Sequence, residues 1–142
     1  MTSTESIAAV RALARASRLI ERASDSLSLA DYRVLSAIVE GEARASRLAA
    51  RLAVGRPTIS ASVDSLCRRG LLEKGQVAGD GRASDLSLTR EGAAVFEAAE
   101  SAMVARREAL CAGIPEARAA MATLSRLGDA IDAAMIEREV RA

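Results

Sequence analysis

Residues 55 to 70 read GRPTISASVDSLCRRG, and their pattern gives the strongest structural signal in the sequence. Pro57 suits the first turn of a helix, because its fixed φ is helical and its missing N–H would have no partner there. Apolar residues follow at the i, i+4, i+7 spacing of one buried stripe, namely Ile59, Val63 and Leu66. The pattern therefore predicts an amphipathic helix that begins near Pro57.

The other face of this helix carries small side chains where a solvent-facing helix usually carries long charged ones. Its residues are Arg56, Thr58, Ser60, Ala61 and Ser65. A major groove about 12 Å wide admits a helix whose side chains let its backbone approach the bases, and Ser and Thr hydroxyls bond readily to phosphates. The alternative is that Thr58 and Ser60 only serve the helix start. Capping needs one such residue, so the repeated small groups favour a contact surface.

Composition limits the remaining choices. The chain has 142 residues, half of them hydrophobic, with one Tyr, one Phe and no Trp. This length fits one domain with an aliphatic, helix-rich core. The sequence contains neither an eighteen-residue apolar run nor a signal-peptide pattern at its start. We therefore expect a cytoplasmic protein with no membrane partner.

The reactive residues argue against catalysis and metal binding. The sequence has no His, and its two cysteines, Cys67 and Cys111, lie far apart. We expect free thiols, no metal, no cofactor and no enzymatic activity, since the usual general base, a metal-spaced Cys pair and a Gly-rich phosphate loop are all missing from the sequence. Cys67 precedes Arg68 and Arg69, which leaves a thiol redox switch open. A buried Cys acting as a small hydrophobe is the simpler interpretation.

Basic charge is concentrated around the unusual helix. The whole chain carries a net charge of +1, but residues 44 to 82 hold eight basic against three acidic residues, a local net charge of +5. Such a run is often a solvated face. Because it coincides with the helix of small side chains, it favours a phosphate-binding surface.

Helices surround this segment on both sides. We expect a helix over 5–24 that turns Ile7, Val10, Leu13, Ala14 and Ile20 toward a core, and a second helix that begins with a Ser28–Asp31 capping box and ends at Gly41. A short helix over 45–52 then leads through a tight turn into the helix of residues 55 to 70, which is the helix-turn-helix pattern.

The period changes after Gly70. LLEKGQV and ASDLSL are strand candidates around AGDGR, whose glycines suit a hairpin tip. Thr89 caps a further helix that runs toward Gly113, and Pro115 opens a last one. The first, fifth and sixth helices have more apolar positions than a monomer of this size needs, so we expect a homodimer. The alternative is a monomer whose terminal helices pack on each other.

In order and spacing, RPT.S..VD.L..RGL, the wing sequence DGRA and the following LT.EG resemble the core of the MarR family of bacterial transcription regulators. The resemblance runs without gaps from about Leu27 to Gly92. It implies a mainly α fold with a small β-wing, a winged helix-turn-helix with N- and C-terminal dimerisation helices. The DNA-binding lobe would then span 28–89, and the helical dimerisation region would span 1–27 and 90–142.

The resemblance also implies a set of contacts with double-stranded DNA. The recognition face would comprise Arg56, Pro57, Thr58, Ser60, Ala61 and Ser65, with Arg68 and Arg69 as phosphate partners and the wing-tip pair Asp80 and Arg82 at the minor groove. Lys74 is a further candidate for DNA contact. Ala61 and Ser65 stand where the family often has Arg, so direct reading of guanine would be reduced and DNA shape would matter more.

The resemblance further implies a repressor that binds DNA as a homodimer and that is released from the DNA by a small aromatic or anionic effector. A two-fold dimer predicts a near-palindromic operator with half-sites about 10 bp apart. Arg15, Arg18 and Tyr32 are the effector candidates, although a solvated face for the two arginines and a core aromatic for Tyr32 are the simpler interpretations. A winged helix that binds protein instead of DNA, or a thiol-based redox sensor, are the alternatives. Salt-dependent DNA affinity separates DNA binding from protein binding.

Overall fold

The computed structural model describes residues 2–76 and 84–140, which form helices around one antiparallel strand pair. The helices are α1 (Ser3–Glu21), α2 (Leu29–Val39), α3 (Ala45–Arg51), α4 (Arg56–Arg68), α5 (Arg90–Cys111) and α6 (Ala117–Val140), and the strands are β1 (Leu72–Gln76) and β2 (Ser84–Leu88). The strand register runs from Leu72 opposite Leu88 to Gln76 opposite Ser84. This arrangement confirms the mainly α fold with a small β-wing. In the described ranges, each helix is too short or too polar to span a bilayer.

The hydrophobic core lies within the lobe formed by α2, α3, α4, the strand pair and the first half of α5. Leu35, Leu48 and Leu66 are completely buried there. The stripe predicted on α4 is part of this core, because Ile59 and Val63 are also buried. Helical periodicity therefore gave the correct inner face of α4.

Three consecutive helices of the lobe end in the same way. A residue with positive φ follows each C-cap, and the next N–H donates to a carbonyl five residues back: Gly41 and Glu42 after α2, Ala53 and Val54 after α3, Gly70 and Leu71 after α4. Ala53 has a φ of 54°. The turn between α3 and α4 therefore places an alanine in a left-handed conformation that costs an L-residue about 1 kcal/mol or more.

The LT.EG motif forms the joint between the strand pair and α5. The hydroxyl of Thr89 donates to the Gly70 carbonyl at 2.5 Å and accepts from the Gly92 N–H at 2.9 Å. A Cβ at Gly92 would lie 1.9 Å from the Leu71 carbonyl oxygen. Only glycine lets α5 start this close to the backbone that leaves α4.

The expectation that α1 turns its apolar residues toward a core is wrong for the single chain. None of the residues of α1 is buried, and Ile7, Val10 and Leu13 are 49%, 66% and 45% exposed. On α6, Leu124, Leu127 and Ile131 are similarly uncovered. The helices are amphipathic as predicted, but the lobe is already closed by its own residues, so their apolar faces have no cover within the described chain.

The Ser28–Asp31 capping box forms only in part. The hydroxyl of Ser28 accepts from the backbone N–H of Asp31 at 3.1 Å. The Asp31 carboxylate pairs instead with the guanidinium of Arg69, at 3.0 Å. A full charge from a distant part of the chain therefore replaces the local backbone donor.

Candidate nucleic-acid interface

The lobe holds α4 so that its face of small residues points away from the core. Arg56, Pro57, Thr58, Ser60 and Ala61 are exposed, and Ser65 is half-buried. Gly55 is the N-cap and offers no side-chain cap, while Pro57 occupies the first turn as predicted. The buried stripe fixes α4 from below, and its other side is open.

The hydroxyls of Thr58 and Ser60 make no hydrogen bond to any other described residue. Helix-start chemistry therefore does not account for them, since the first turn of α4 has no side-chain cap. Arg56 and Arg68 are also exposed, without an ion pair to a described carboxylate. The hydrogen-bonding capacity of this face is available to a ligand.

One acidic residue lies on the same face, and sequence reasoning gave it no role. Asp64 accepts a hydrogen bond from the Lys74 ammonium of β1 at 3.0 Å. This hydrogen bond and the carboxylate charge raise the pKa of Lys74 above its usual value. The predicted DNA-contact residue Lys74 is therefore partly neutralised by Asp64. Asp64 and Lys74 are ten residues apart, on either side of the end of α4, so no helix or strand periodicity predicts their contact.

The guanidinium of Arg69 is bound to other residues of the chain, whereas a phosphate ligand is expected to be unpaired. Its guanidinium binds Asp31 at 3.0 Å and the Ser26 carbonyl at 2.7 Å, which ties the end of α4 to the start of α2. Arg51, a third basic residue of the charged stretch, pairs with Glu40 and Asp132. The basic stretch is thus less available to phosphate than its net charge suggested.

The predicted wing-tip pair, Asp80 and Arg82, lies outside the described residues. The strands that lead to it are in place, since β1 and β2 pair over five positions. Backbone contacts at Ala43 and Arg44 join the middle of β2 to the segment before α3. The minor-groove role of Asp80 and Arg82 stays a prediction.

Tyr32 lies between α2 and α5. Its ring stacks on Phe96 with centroids 5.4 Å apart, and its hydroxyl donates to Glu100 at 3.1 Å. Burial, followed by the charge of Glu100 and this hydrogen bond, raises the pKa of Tyr32 to about 12. Tyr32 also lines a cavity of ≈ 380 Å³ between α2, α3 and α6.

The other two effector candidates are not part of that cavity. Arg15 and Arg18 lie exposed on α1, whereas the cavity wall comes from α2, α6 and the end of α3. The structure therefore does not bring the three candidates together at the described cavity. Cys67 and Cys111 are free and half-buried, in line with the expected thiols.

Comparison with known proteins shows which proteins have a similar sequence and architecture. The sequence profile of the MarR family matches residues 25–83. The transcriptional regulator PcaV from Streptomyces coelicolor, solved in complex with its natural ligand, is 29% identical over 85% of this chain and 89% of its own, with a TM-score of 0.64. The transcriptional repressor CouR, solved bound to a 23-mer DNA duplex, is 26% identical over 86% and 88%, with a TM-score of 0.73.

This chain resembles MarR-family regulators in sequence over residues 25–83 and in fold over most of its length. Wild-type MarR from E. coli in its apo form, 20% identical over 89% of this chain and 95% of its own, has the same fold at a TM-score of 0.73. No curated protein matches the sequence significantly. The proteins that it resembles here are transcription regulators and not enzymes. The domain boundaries at 27/28 and 89/90 stay a prediction.

Proposed function

We propose that this protein is a homodimeric repressor of the MarR family that places α4 in the major groove of a near-palindromic operator. The observation that carries the proposal is the face of α4 itself. This face consists mainly of exposed small residues. Its hydroxyls, and the guanidinium groups of Arg56 and Arg68, have no partner among the described residues. These features suit close approach to base edges and phosphates.

The proposed contacts differ in strength because their partners differ. Arg56, Pro57, Thr58, Ser60, Ala61, Ser65 and Arg68 form the main contact set, and Arg82, oriented by Asp80, reaches the minor groove. Lys74 and Arg69 contribute less, since Asp64 and Asp31 already neutralise them. CouR, a repressor solved on DNA, supports both the DNA partner and the repressor role.

Dimerisation follows from uncovered apolar surface outside the lobe. Exposed large aliphatic residues lie on the three helices of the proposed dimerisation region: Ile7, Val10, Leu13, Val104, Leu110, Leu124, Leu127 and Ile131. A patch of this kind on a small protein marks an interaction surface. A second copy of the chain would cover it and place two recognition helices about one DNA turn apart.

Sedimentation tests the dimer directly. We expect a dimer at micromolar concentration, dissociated by Leu127→Glu, because a buried carboxylate without a partner is strongly unfavourable. Val39→Glu is the matched control, since Val39 is also exposed, at 56%, but lies on α2 outside these helices. A monomeric wild type, or equal dissociation by both variants, would contradict the dimer.

DNA binding is tested by selecting fragments bound from the source genome and measuring their affinity at several salt concentrations. Phosphate contacts release counterions, so log K should fall steeply and linearly with log salt, with a slope of about −0.9 for each phosphate neutralised. Near-palindromic fragments are expected, and Arg82→Ala should weaken binding tenfold or more with the fold and the dimer intact. Salt-insensitive or absent binding would favour a protein-interaction module.

Release by a small aromatic or anionic effector is the regulatory part of the proposal. PcaV, solved with its natural ligand, supports a ligand-responsive mechanism. Tyr32 remains the candidate contact between α2 and α5, and Arg15 and Arg18 are candidates on α1. Binding would shift the population between DNA-competent and incompetent dimers. If no member of a panel of phenolic acids changes the thermal stability or the DNA affinity of the protein, the proposal of an effector of this class is wrong.

A further inference from the structure

A single guanidinium joins three helices next to the turn that leads into α4. Arg51, the last residue of α3, bonds through the same Nη2 to the carboxylates of Glu40 and Asp132, the latter at 3.2 Å. Glu40 is the C-cap of α2, and Asp132 lies on α6. The pair with Asp132 is thus a polar link from α6 to the DNA-binding lobe.

The surroundings of this link are loosely packed. Arg51, Glu40 and Asp132 all line the cavity of ≈ 380 Å³ between α2, α3 and α6. Gly128 of α6 lines it too, and a Cβ added there would meet nothing within 4 Å. Because apolar packing is incomplete here, the charged contact carries a larger share of the attachment of α6 to α3.

The position of Arg51 in the chain gives the link a consequence for α4. Leu52 is the C-cap that follows it, and Ala53 takes the left-handed conformation that turns the backbone into α4. A displacement of the last turn of α3 is therefore passed on to α4 over only a few residues. α6 also bears Leu124, Leu127 and Ile131, the residues proposed to meet a second copy.

We propose that Arg51 is a positioning residue, which holds the α3–α4 unit at a fixed orientation to α6 through Asp132. It touches no DNA; it sets the direction in which α4 is presented by the dimer. The inference rests on the proposed function, and it assigns the coupling between dimer and DNA-binding lobe to one ion pair that spans α3 and α6.

Neutralising one carboxylate on α6 tests the proposal, because electrostatics alone and loss of the link change the DNA affinity in opposite directions. Asp132→Asn removes a negative charge, so electrostatics alone predicts equal or tighter DNA binding. Loss of the link predicts affinity that is about three- to fivefold weaker, since a partly exposed pair transmits a modest coupling. The slope of log K against log salt should stay at the wild-type value, because no phosphate contact is lost.

Asp129→Asn is the matched control. Asp129 lies on the same helix and lines the same cavity, but forms no ion pair with a described residue. It should bind DNA at least as tightly as the wild type, and Asp132→Glu, which keeps the carboxylate, should bind nearly as the wild type does. Equal affinity of Asp132→Asn and Asp129→Asn, or a loss explained by a weaker dimer in sedimentation, would overturn the proposal.

Amide hydrogen exchange in DNA-free protein separates this inference from the proposed function. Asp132→Asn should raise exchange in α3, whereas Asp129→Asn should not. If the wild type binds no DNA, the proposed function fails, and the exchange of α3 still decides whether the link exists. Unchanged exchange in Asp132→Asn would overturn the link itself.

Discussion

Replacing Gly92 with alanine tests the joint between the strand pair and α5. The added Cβ would lie 1.9 Å from the Leu71 carbonyl oxygen and 2.8 Å from its carbon. Because real Cβ contacts essentially never fall under 3.0 Å, the backbone must separate by roughly 1 Å. Leu71 is itself buried, and its carbonyl accepts the Thr89 N–H at 3.1 Å, so the neighbour that must move is fixed backbone in the core.

The expected loss of stability is ~1–3.5 kcal/mol. Overpacking costs about 1–3 kcal/mol and a weakened hydrogen bond about 1 kcal/mol, whereas alanine gains about 0.5–1 kcal/mol over glycine within a helix. Gly128→Ala is the matched control, because its Cβ meets nothing within 4 Å on an exposed helix. That variant should be about 0.5–1 kcal/mol more stable than the wild type.

Urea unfolding of the three proteins at one fixed protomer concentration measures both effects. We expect the two midpoints to move in opposite directions from the wild type. A Gly92→Ala protein as stable as the wild type, next to a stabilised Gly128→Ala protein, would refute the close-approach argument.

Three further predictions concern single side chains. Tyr32 is the sole tyrosine and the chain lacks Trp, so the absorbance of the phenolate reports on Tyr32 alone. The pKa of Tyr32 should be near 12 in the folded protein and near 10 in the unfolded chain. Because the folded pKa is the higher one, the stability linked to Tyr32 is complete below pH 10 and lost between 10 and 12, and a folded midpoint near 10 would contradict this. Asp64→Asn should bind DNA several-fold more tightly at low salt, since it frees Lys74 beside the phosphates; weaker binding in an anisotropy titration would count against the assigned face. Ala53→Gly should raise stability by about 0.5–1 kcal/mol in thermal unfolding, because glycine relieves the positive φ at some entropic cost, and a lower midpoint would contradict it.

Local patterns in the sequence predicted the elements of the lobe and the inner face of α4. Ile59, Val63 and Leu66 are spaced so that one helix face must be apolar, and that requirement does not depend on the rest of the chain. The motif LT.EG likewise located the start of α5. Its physical reason, the approach of Gly92 to Leu71, depends on a distance between two elements and is visible only in the structure.

Contacts between distant residues could not be predicted. Asp31 and Arg69 are 38 positions apart, and Arg51 and Asp132 are 81 apart, so no periodicity relates them. The apolar residues of α1 were correctly placed on one face but wrongly assigned to the core of the single chain. Periodicity shows that a face is apolar, and it does not show whether the same chain or another one covers it.

If α4 enters a DNA groove with its small residues foremost, a larger side chain in place of Ala61 should weaken binding, and Ala61→Leu makes that change. Ala61 is exposed, so the larger side chain leaves the fold intact but blocks close approach to base edges. Ala30→Leu, on the exposed start of α2, is the control. We expect Ala61→Leu to weaken affinity for the selected operator tenfold or more, with unfolding unchanged and Ala30→Leu binding as the wild type does. Wild-type affinity in Ala61→Leu would contradict the account.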